Sequence, residues 1–458
     1  MSAAALDPEP KLVWRREGAK MAEVVEALAQ VRAEFARAEA GDEEHAHPRN
    51  CVMTLVAVTS SQAEERRAQR TCRIIGAHHP AQAILIREDP GAHGRSVDAW
   101  IVTDVMRPAM SCAVECEIVT LHVPGAAAEH VAALVDPLLV SGVPTYLWWH
   151  GTPPFGRSEL HEALRICDAL VFDSARFEEP YHAFHGLSKM VTLAHHRLGL
   201  GDLQWSRLRP WRETVAQFFM PRDRRSFLDG ITEVGIDYAG QGRGNRIAAA
   251  LTTGWMASAL GWKLQRATAG PGGVVAAHYA APSRPVEVHF RSVPKDHLAS
   301  GELSAVRIAG ASQGTTFRLT VMRDPDRSRP TSDTGYRSLL PSGGEDDAGI
   351  ELTKRRAERH RDVLQDNLES LHHTSTGVPP GESRPKQPVV ITHERRRPDT
   401  TQVLLTVLEI GDSAPLRHVQ QVAPEDEATL LLDLLATGTH DKVFNRTLQA
   451  ASELIRRM

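Results

Sequence analysis

Continuous apolar runs alternate with amphipathic helical patterns along the first half of the chain. The run Cys51–Val58 is followed by a capping box formed by Ser61 and Glu64, and later by the apolar run Ala83–Ile86. Buried parallel strands read as continuous apolar runs, and a helix is their usual crossover connection. The pattern therefore predicts a β-α-β unit.

A second crossover is predicted around the strand Thr145–Trp149. This strand ends in the loop His150-Gly-Thr-Pro-Pro, and a later apolar run, Ala169–Phe172, ends in Asp173 and Ser174. Ligands and partners usually meet the carboxyl ends of strands in open parallel sheets, so His150 and Asp173 indicate a binding surface. The alternative is that the tryptophans are core residues and that Asp173 only caps the next helix.

The second half of the chain has short strands separated by turn residues. The run Ile231–Tyr238 is a strand, and Gln402-Val-Leu-Leu-Thr-Val-Leu-Glu-Ile is another. We expect the latter to join an antiparallel meander of four strands, which are Val274–Ala280, Val286–Phe290, Ser304–Ile308 and Thr316–Val321. Two helices, near Glu425–Leu435 and Asp441–Arg457, end the chain.

These elements predict an α/β protein with a layered α/β domain and a largely parallel sheet, followed by an α+β domain with an antiparallel meander. Residues 323–400 are rich in charged residues, Ser, Pro and Gly, which predicts a mobile, disordered insertion. The predicted boundaries are 1–50 for a tail and helix, 51–180 for the first domain, 181–322 plus 401–458 for a discontinuous second domain, and 323–400 for the insertion.

Two arginine-containing segments are candidates for partner contact. Arg66, Arg70 and Arg73 share one face of the first predicted crossover helix, where guanidinium groups could meet carboxylates or phosphates. Alternatively, they form a solvated face balanced by the nearby glutamates. Further along, Trp205 and Trp211 alternate with arginines, as in interface hot spots, although an ordinary core is an alternative here too.

Composition excludes several classes of function. The 458 residues carry a formal net charge of −4, which gives no general attraction to nucleic acid or to anionic membranes. No apolar run approaches the roughly 20 residues that span a bilayer, and the first residues do not form a signal peptide pattern. We therefore expect a cytoplasmic protein. Its five cysteines, an odd number, do not indicate a disulfide framework.

Motifs of enzyme chemistry are scarce. The sequence has no G-x-S-x-G elbow, no phosphate-binding G-x-x-x-x-G-K-[ST] loop and no H-E-x-x-H helix. Gly240, Gly242 and Gly244 precede a helical pattern, but Asn245 stands where the third glycine of a dinucleotide fingerprint belongs, so a surface turn is favoured. We predict no catalytic residues, no metal site and no cofactor.

Four segments occur in order along the chain: Leu-Trp-Trp-His-Gly-Thr-Pro-Pro from Leu147, Phe172-Asp-Ser, Trp205-Ser-Arg-Leu-Arg-Pro-Trp-Arg-Glu and Asp441-Lys-Val-Phe-Asn-Arg. This ordered series resembles the OpcA family, whose members are assembly proteins or allosteric effectors of glucose-6-phosphate dehydrogenase. The resemblance implies a non-catalytic protein that binds the dehydrogenase, promotes its assembly or active oligomer, and supports NADPH supply in the oxidative pentose phosphate pathway.

The candidates for partner binding are residues in the family segments together with the three arginines that share one face of the first predicted crossover helix. They are Trp148, Trp149, His150, Asp173, Trp205, Arg207, Trp211, Arg212, Arg66, Arg70 and Arg73. The competing hypothesis is a sugar-phosphate-binding enzyme or sensor that uses the strand-end edge around His150 and Asp173. Thioredoxin-dependent control, associated with some cyanobacterial members, is not expected because no cysteine follows Cys167.

Overall fold

Two eight-stranded sheets organise the chain in the computed structural model. The structure describes residues 11–40, 51–76, 79–89, 91, 96–106, 114–125, 130–193, 198–240, 245–270, 274–295, 298–323, 402–422, 426–437 and 439–458. Among these residues, no helix is long and apolar enough to cross a bilayer.

The first sheet is largely parallel, as predicted. Its strands are Lys11–Ala19 (β1), Met53–Thr59 (β2), Ala81–Asp89 (β3), Val97–Met106 (β4), Val114–Pro124 (β5), Thr145–Trp149 (β6), Ala169–Phe172 (β7) and Gly199–Asp202 (β8). Their order is β1-β4-β5-β3-β2-β6-β7-β8, and the six strands from β5 to β8 are mutually parallel. Antiparallel β1 and β4 complete one edge.

Helices cover both faces of this sheet. They are Met21–Ala40 (α1), Gln62–Gly76 (α2), Val131–Val135 (α3), Ser158–Ala163 (α4) and Pro180–Leu193 (α5). The predicted apolar face of α2, with Ala68, Cys72 and Ile75, packs on one side of the sheet. Leucines from the C-terminal helix Glu427–Thr437 (α9) pack on the same side. Helix α1 and helix α5 contribute to the core on the opposite side.

The second sheet confirms the α+β expectation and adds one feature. Its strands are Ile231–Ala239 (β9), Lys263–Ala269 (β10), Val275–Ala280 (β11), Val286–Val293 (β12), Leu303–Ser312 (β13), Thr315–Arg323 (β14), Gln402–Ile410 (β15) and Leu416–Val422 (β16). Strand β15 pairs with β14, as predicted. However, β9 lies between β12 and β13 and runs parallel to β12, so the four predicted strands do not form one continuous meander.

The remaining helices include Leu203–Arg207 (α6), Arg209–Phe219 (α7), Ile247–Leu260 (α8), Glu427–Thr437 (α9) and Lys442–Arg457 (α10). Helices α8 and α10 pack closely at Gly254, where a Cβ atom would lie 2.6 Å from the carbonyl oxygen of Thr447. Beneath α7, the rings of Phe218 and Phe317 stack with centroids 6.0 Å apart. These contacts fix α7, α8 and α10 on one side of the second sheet.

The sequence analysis did not identify β1 and β8 as strands. Both lie outside the predicted 51–180 range, although both belong to the first sheet. The predicted domain boundaries stay predictions. The predicted mobile insertion lies outside the described residues, apart from Arg323.

Candidate functional site

The carboxyl ends of β6, β7 and β8 lie side by side, because these three strands are neighbours and parallel. His150 follows β6, Asp173 follows β7, and Asp202 is the last residue of β8. All three side chains are buried, with relative exposures of 7%, 4% and 1%. The structure therefore brings His150 and Asp173 to one edge, as predicted, and adds Asp202.

Asp173 is held by two arginines. Arg207 Nη1 and Nη2 donate to Asp173 Oδ1 and Oδ2, each at 2.7 Å, and Arg176 Nε lies 3.1 Å from Oδ2. Asp173 Oδ1 also accepts the backbone N–H of Ala175, so the predicted capping role is present alongside the ion pair. A bidentate guanidinium pair is among the strongest side-chain interactions, and here it closes the carboxylate to solvent.

Asp202 is buried, and its carboxylate forms no ion pair with the described residues. Its Oδ1 accepts the backbone N–H groups of Ser174 and Gln204 at 3.0 and 2.9 Å, and its Oδ2 accepts the Ser174 hydroxyl at 2.6 Å. Burial, together with the negative charge of Asp173, raises the pKa of Asp202 to about 7. Sequence analysis missed this residue, although an Asp directly before a helix is an N-cap signal.

His150 lies against the indole of Trp148, with ring centroids 4.1 Å apart. Its Nε2 atom is buried and has no hydrogen-bond partner among the described residues. Burial lowers the pKa of His150 to about 4, and the positive charges of Arg176 and Arg67 act in the same direction. His150 is thus a neutral, packed ring near pH 7.

We expect His150→Phe to protect the fold against acid. The folded state disfavours protonation of His150, whereas the unfolded chain protonates it near pH 6.5, so wild-type stability falls as the pH drops from about 6.5 towards 4. Phe cannot take up this proton. Between pH 7.5 and pH 4.5 the variant should gain about 2.5 kcal/mol over the wild type, at 1.36 kcal/mol per pKa unit.

The measurement is urea unfolding of both proteins at the two pH values. Exposed His418 provides the control substitution, His418→Phe. An equal pH response of the His150 variant and the wild type would contradict the assignment of His150 as a buried neutral ring.

Trp205 links the second arginine-rich segment to the end of the chain. The Arg212 guanidinium carbon lies 3.3 Å from the centroid of its ring, and Arg212 Nη1 donates to the Trp205 carbonyl oxygen at 2.7 Å. Trp205 Nε1 donates to Asp441 Oδ2 at 3.1 Å, and its ring lies 5.6 Å from that of Phe444. Burial lowers the pKa of Arg212 to about 10.

A cavity of about 180 Å³ lies beside this cluster. Among the residues that line it are Asp202, Trp205, Arg212 and Asp441. The Arg209–Asp433 ion pair, at 2.5 Å, forms another part of its wall. The charged groups named here therefore each have a partner within the fold.

The start of α2 is closed in a similar way. Glu64 accepts the backbone N–H and the hydroxyl of Ser60, both at 2.9 Å, while Ser61 Oγ accepts the Glu64 N–H, which completes a capping arrangement. The next residue, Glu65, binds Arg87 at 2.7 Å and His122 at 3.0 Å. Two carboxylates thus stand at the helix N-terminus where an open parallel sheet would receive a phosphate. This disfavours the sugar-phosphate hypothesis.

Residues 64–189 match the family profile described as the glucose-6-phosphate dehydrogenase subunit N-terminal domain, and residues 198–448 match the corresponding C-terminal domain. The chain belongs to the OpcA family. The resemblance inferred from the sequence segments is therefore confirmed.

Relatives include cyanobacterial proteins described as OxPP cycle protein OpcA. The one from Nostoc punctiforme is 27% identical over 365 residues, which cover 77% of this chain and 73% of the relative. The one from Synechocystis is 27% identical over 294 residues, or 62% of this chain and 60% of the relative.

Solved structures with some likeness include an oxidoreductase from Bacillus subtilis and a myo-inositol dehydrogenase from Lactobacillus casei. Their TM-scores are 0.39 and 0.29, each at 8% identity, over 88% and 58% of this chain and 95% and 74% of theirs. Likeness this weak carries no argument about activity.

The two segments that match the family profiles meet at the carboxyl ends of β7 and β8, where Asp173, Ser174, Asp202 and Arg207 form what we call the strand-end cluster. Asp173 from the first pairs with Arg207 from the second, and Ser174 from the first donates to Asp202. The side-chain amide of Asn245 donates to the carbonyl oxygens of Ser174 and Ala175, at 3.3 and 3.1 Å. Asn245, placed by the sequence analysis in a surface turn, therefore joins the start of α8 to the first sheet.

Burial separates the predicted site residues into two groups. The four tryptophans are at most 8% exposed, and Arg207 and Arg212 are only partly accessible; the tryptophans are Trp148, Trp149, Trp205 and Trp211. Arg66 and Arg70 are exposed on α2, and Arg73 is half-buried. The buried candidates therefore contribute to packing within the fold, whereas the candidates that a partner can reach lie on α2.

The described residues contain no group of three or more His, Cys, Asp or Glu side chains that could hold a metal ion. Among the described residues, Cys51, Cys72, Cys116 and Cys167 form no disulfide bond. Burial raises the pKa of Cys72 well above its ordinary value and that of Cys167 to about 12. These two thiols are therefore poor nucleophiles.

Proposed function

We propose that this chain binds glucose-6-phosphate dehydrogenase and promotes its assembly or its active oligomeric state, thereby supporting NADPH production in the oxidative pentose phosphate pathway. The observation that carries the proposal is the match of residues 64–189 and 198–448 to the two glucose-6-phosphate dehydrogenase subunit domains. We assign no catalytic step to the chain itself.

The strand-end cluster supports a non-catalytic role. A general acid or base must reach a substrate, or reach it through one water molecule. Here Asp173 is closed by Arg207 and Arg176, and Asp202 is closed by three hydrogen bonds. Because both carboxylates already have their hydrogen-bond partners within the fold, they stabilise one arrangement of the two matched segments.

The proposed mechanism is thermodynamic linkage. A protein that binds the active form of an enzyme more tightly than the inactive form shifts the population by that difference in affinity. A shift from 1:99 to 99:1 requires about 5.5 kcal/mol of preference. A few well-placed anchor residues in an interface can supply a difference of this size.

The exposed arginines of α2 are the proposed contact. Arg66 and Arg70 lie one turn apart, on the face opposite the buried Ala68 and Cys72. Guanidinium groups suit bidentate contact with carboxylates on a partner surface. Helix α2 packs against both the first sheet and α9. Its exposed arginines are therefore presented by a helix that is held in place by the rest of the fold.

The test mixes the purified chain with purified dehydrogenase and measures NADPH formation and complex size. We expect a complex, and dehydrogenase activity that rises to saturation as the chain is added. The chain alone should not turn over glucose 6-phosphate. Unchanged dehydrogenase activity at saturating concentrations, or turnover by the isolated chain, would overturn the proposal.

Charge reversal locates the contact. The double variant Arg66→Glu/Arg70→Glu should weaken binding at least tenfold. The matched control is Arg222→Glu/Arg225→Glu, which reverses two exposed arginines in the 3-10 helix Arg222–Gly230 before β9 and should bind like the wild type. Equal affinities of the two double variants would remove α2 from the interface while leaving the binding function itself intact.

A further inference from the structure

The second sheet has one face that the described helices leave uncovered. Helices α7, α8 and α10 pack on the opposite face, over side chains such as Val234, Val306 and Leu319. On the uncovered face, registered cross-strand neighbours form continuous rows. One row runs through Asp237, Ala305, Met322, Leu405 and Val419, from β9 to the edge strand β16.

Most of this row is apolar. Met322 and Leu405 are half-buried, and Val419 is 43% exposed. Val407, two residues from Leu405 on β15, widens the strip on the same face. A solvated sheet face normally carries polar residues at such positions. A row of apolar side chains that ends in exposed Val419, on a face that the described helices leave uncovered, therefore indicates a contact surface.

A charged centre lies beside the strip. Arg291 donates to Asp237 Oδ1 and Oδ2 at 3.0 and 2.8 Å, and Arg307 donates to Oδ2 at 2.7 Å. Asp237 is buried, whereas the Arg291 and Arg307 side chains are 57% and 38% exposed. One carboxylate shared by two guanidinium groups leaves a net charge of about +1. Each guanidinium also keeps N–H donors that do not bind Asp237.

The same face also carries exposed carboxylates. Glu233 lies on β9, and its registered neighbour Glu287 lies on the adjacent strand β12. Glu409 lies on β15. The side chains of Glu287 and Glu409 are 44% and 45% exposed. Within one chain, Glu287 Oε1 lies 3.6 Å from His278 Nε2 and 3.4 Å from His289 Nε2, and Glu409 Oε2 lies 3.8 Å from Arg318 Nη1. The face thus presents apolar side chains together with exposed charged groups of both signs, so two copies can meet with opposite charges facing each other.

We propose that this open face binds the open face of a second copy of the chain, forming a two-fold symmetric dimer. Two-fold contacts are isologous, so one surface must offer both halves of each interaction, and this face does. Sheets also pack face to face when each has the same twist, as two copies must.

The size of the face agrees with this proposal. Eight strands about 4.8 Å apart, with six to ten residues each at about 3.3 Å per residue, cover on the order of 1,000 Å². A stable interface buries about 800 Å² from each partner. Most of the face would be needed, so a single charge placed in the strip should disrupt the dimer.

Strand β16 provides a matched pair of variants. Val419 is on the open face, whereas Leu416 is 58% exposed and opposes the buried Leu408, on the helix-covered face. Multi-angle light scattering of the full chain across a micromolar concentration range should give twice the 50.3 kDa chain mass. Val419→Glu should raise the dimer dissociation constant at least tenfold, and Leu416→Glu should leave it unchanged.

A second variant guards against a local folding defect at the edge strand. Arg307→Glu places two acids beside each other at the charged centre and should also raise the dissociation constant at least tenfold, with circular dichroism confirming the fold. A monomeric wild type at 50 μM, or equal effects of Val419→Glu and Leu416→Glu, would overturn the proposal. So would a monomeric wild type in which Val419→Glu weakens dehydrogenase binding instead. In each case the effect of the wild-type chain on dehydrogenase activity is measured separately, so the proposed function would stand or fall on that result alone.

Discussion

Replacing Asp173 with Ala is expected to lower the free energy of unfolding by about 3 kcal/mol, because it leaves Arg207 and Arg176 without their shared carboxylate. Removal of one partner from a buried ion pair typically costs 3–5 kcal/mol. We expect the low end of that range because the two arginine side chains are 29% and 37% exposed and can recover some hydration. Urea unfolding at pH 7 measures the change.

The control for this variant is Glu17→Ala. It removes an ion pair with Arg15 whose side chains are 61% and 73% exposed, so the loss should stay below about 1 kcal/mol. The double variant Asp173→Ala/Arg207→Ala completes a cycle. It should lose less than the sum of its single variants, since no arginine is left facing an empty site. A cost for Asp173→Ala no larger than that for Glu17→Ala would contradict the assignment.

Replacing Asp202 with Asn is expected to stabilise the protein increasingly as the pH rises. The folded state holds the pKa of Asp202 near 7, whereas the unfolded value is 3.8, so the folded state binds the proton more tightly. Its stabilising contribution is complete below about pH 4 and is lost as the pH rises through 7. Between pH 5 and pH 8 the wild type should lose about 2.5 kcal/mol that the variant keeps.

Asn suits this position because its side-chain oxygen can accept from Ser174 N–H and Gln204 N–H, which both bind Asp202 Oδ1. Its amide nitrogen can donate to the Ser174 hydroxyl oxygen. Urea unfolding at pH 5 and pH 8 gives the comparison, and Asp412→Asn, in the exposed turn after β15, is the control. A stability difference between Asp202→Asn and the wild type that stays constant with pH would show that Asp202 is ionised in both states.

Sequence analysis located the central strands of the first sheet because those strands are buried on both faces. The runs that became β2, β6 and β7 are largely apolar and contain no charged residue, which is a local signal. Strands β1 and β8 lack it. The first contains Arg15, Arg16 and Glu17, as edge strands often do, and the second is the short sequence Gly-Leu-Gly-Asp.

The order of the second sheet could not be read from local patterns. Strand β9 precedes its neighbours β12 and β13 by dozens of residues, and one sequence contains no signal for that pairing. The long-range contacts of the strand-end cluster could not be predicted from local patterns either. His150 and Asp173 followed from the parallel crossover, but Arg207 reaches Asp173 across 34 positions of sequence, and Trp205 reaches Asp441 across 236. Burial of the tryptophans was also undetermined, because core and interface residues have the same composition.

Helix α9 has a consequence for biosynthesis. Its leucines Leu430, Leu431 and Leu434 complete one face of a sheet whose last strand, β8, ends at Asp202. At about 5–20 residues per second, a ribosome needs on the order of ten to forty-five seconds to travel from that strand to the helix. During that interval the nascent chain carries uncovered apolar surface, which a chaperone can bind. Premature stop codons upstream of α9 should therefore yield aggregated rather than partly functional protein.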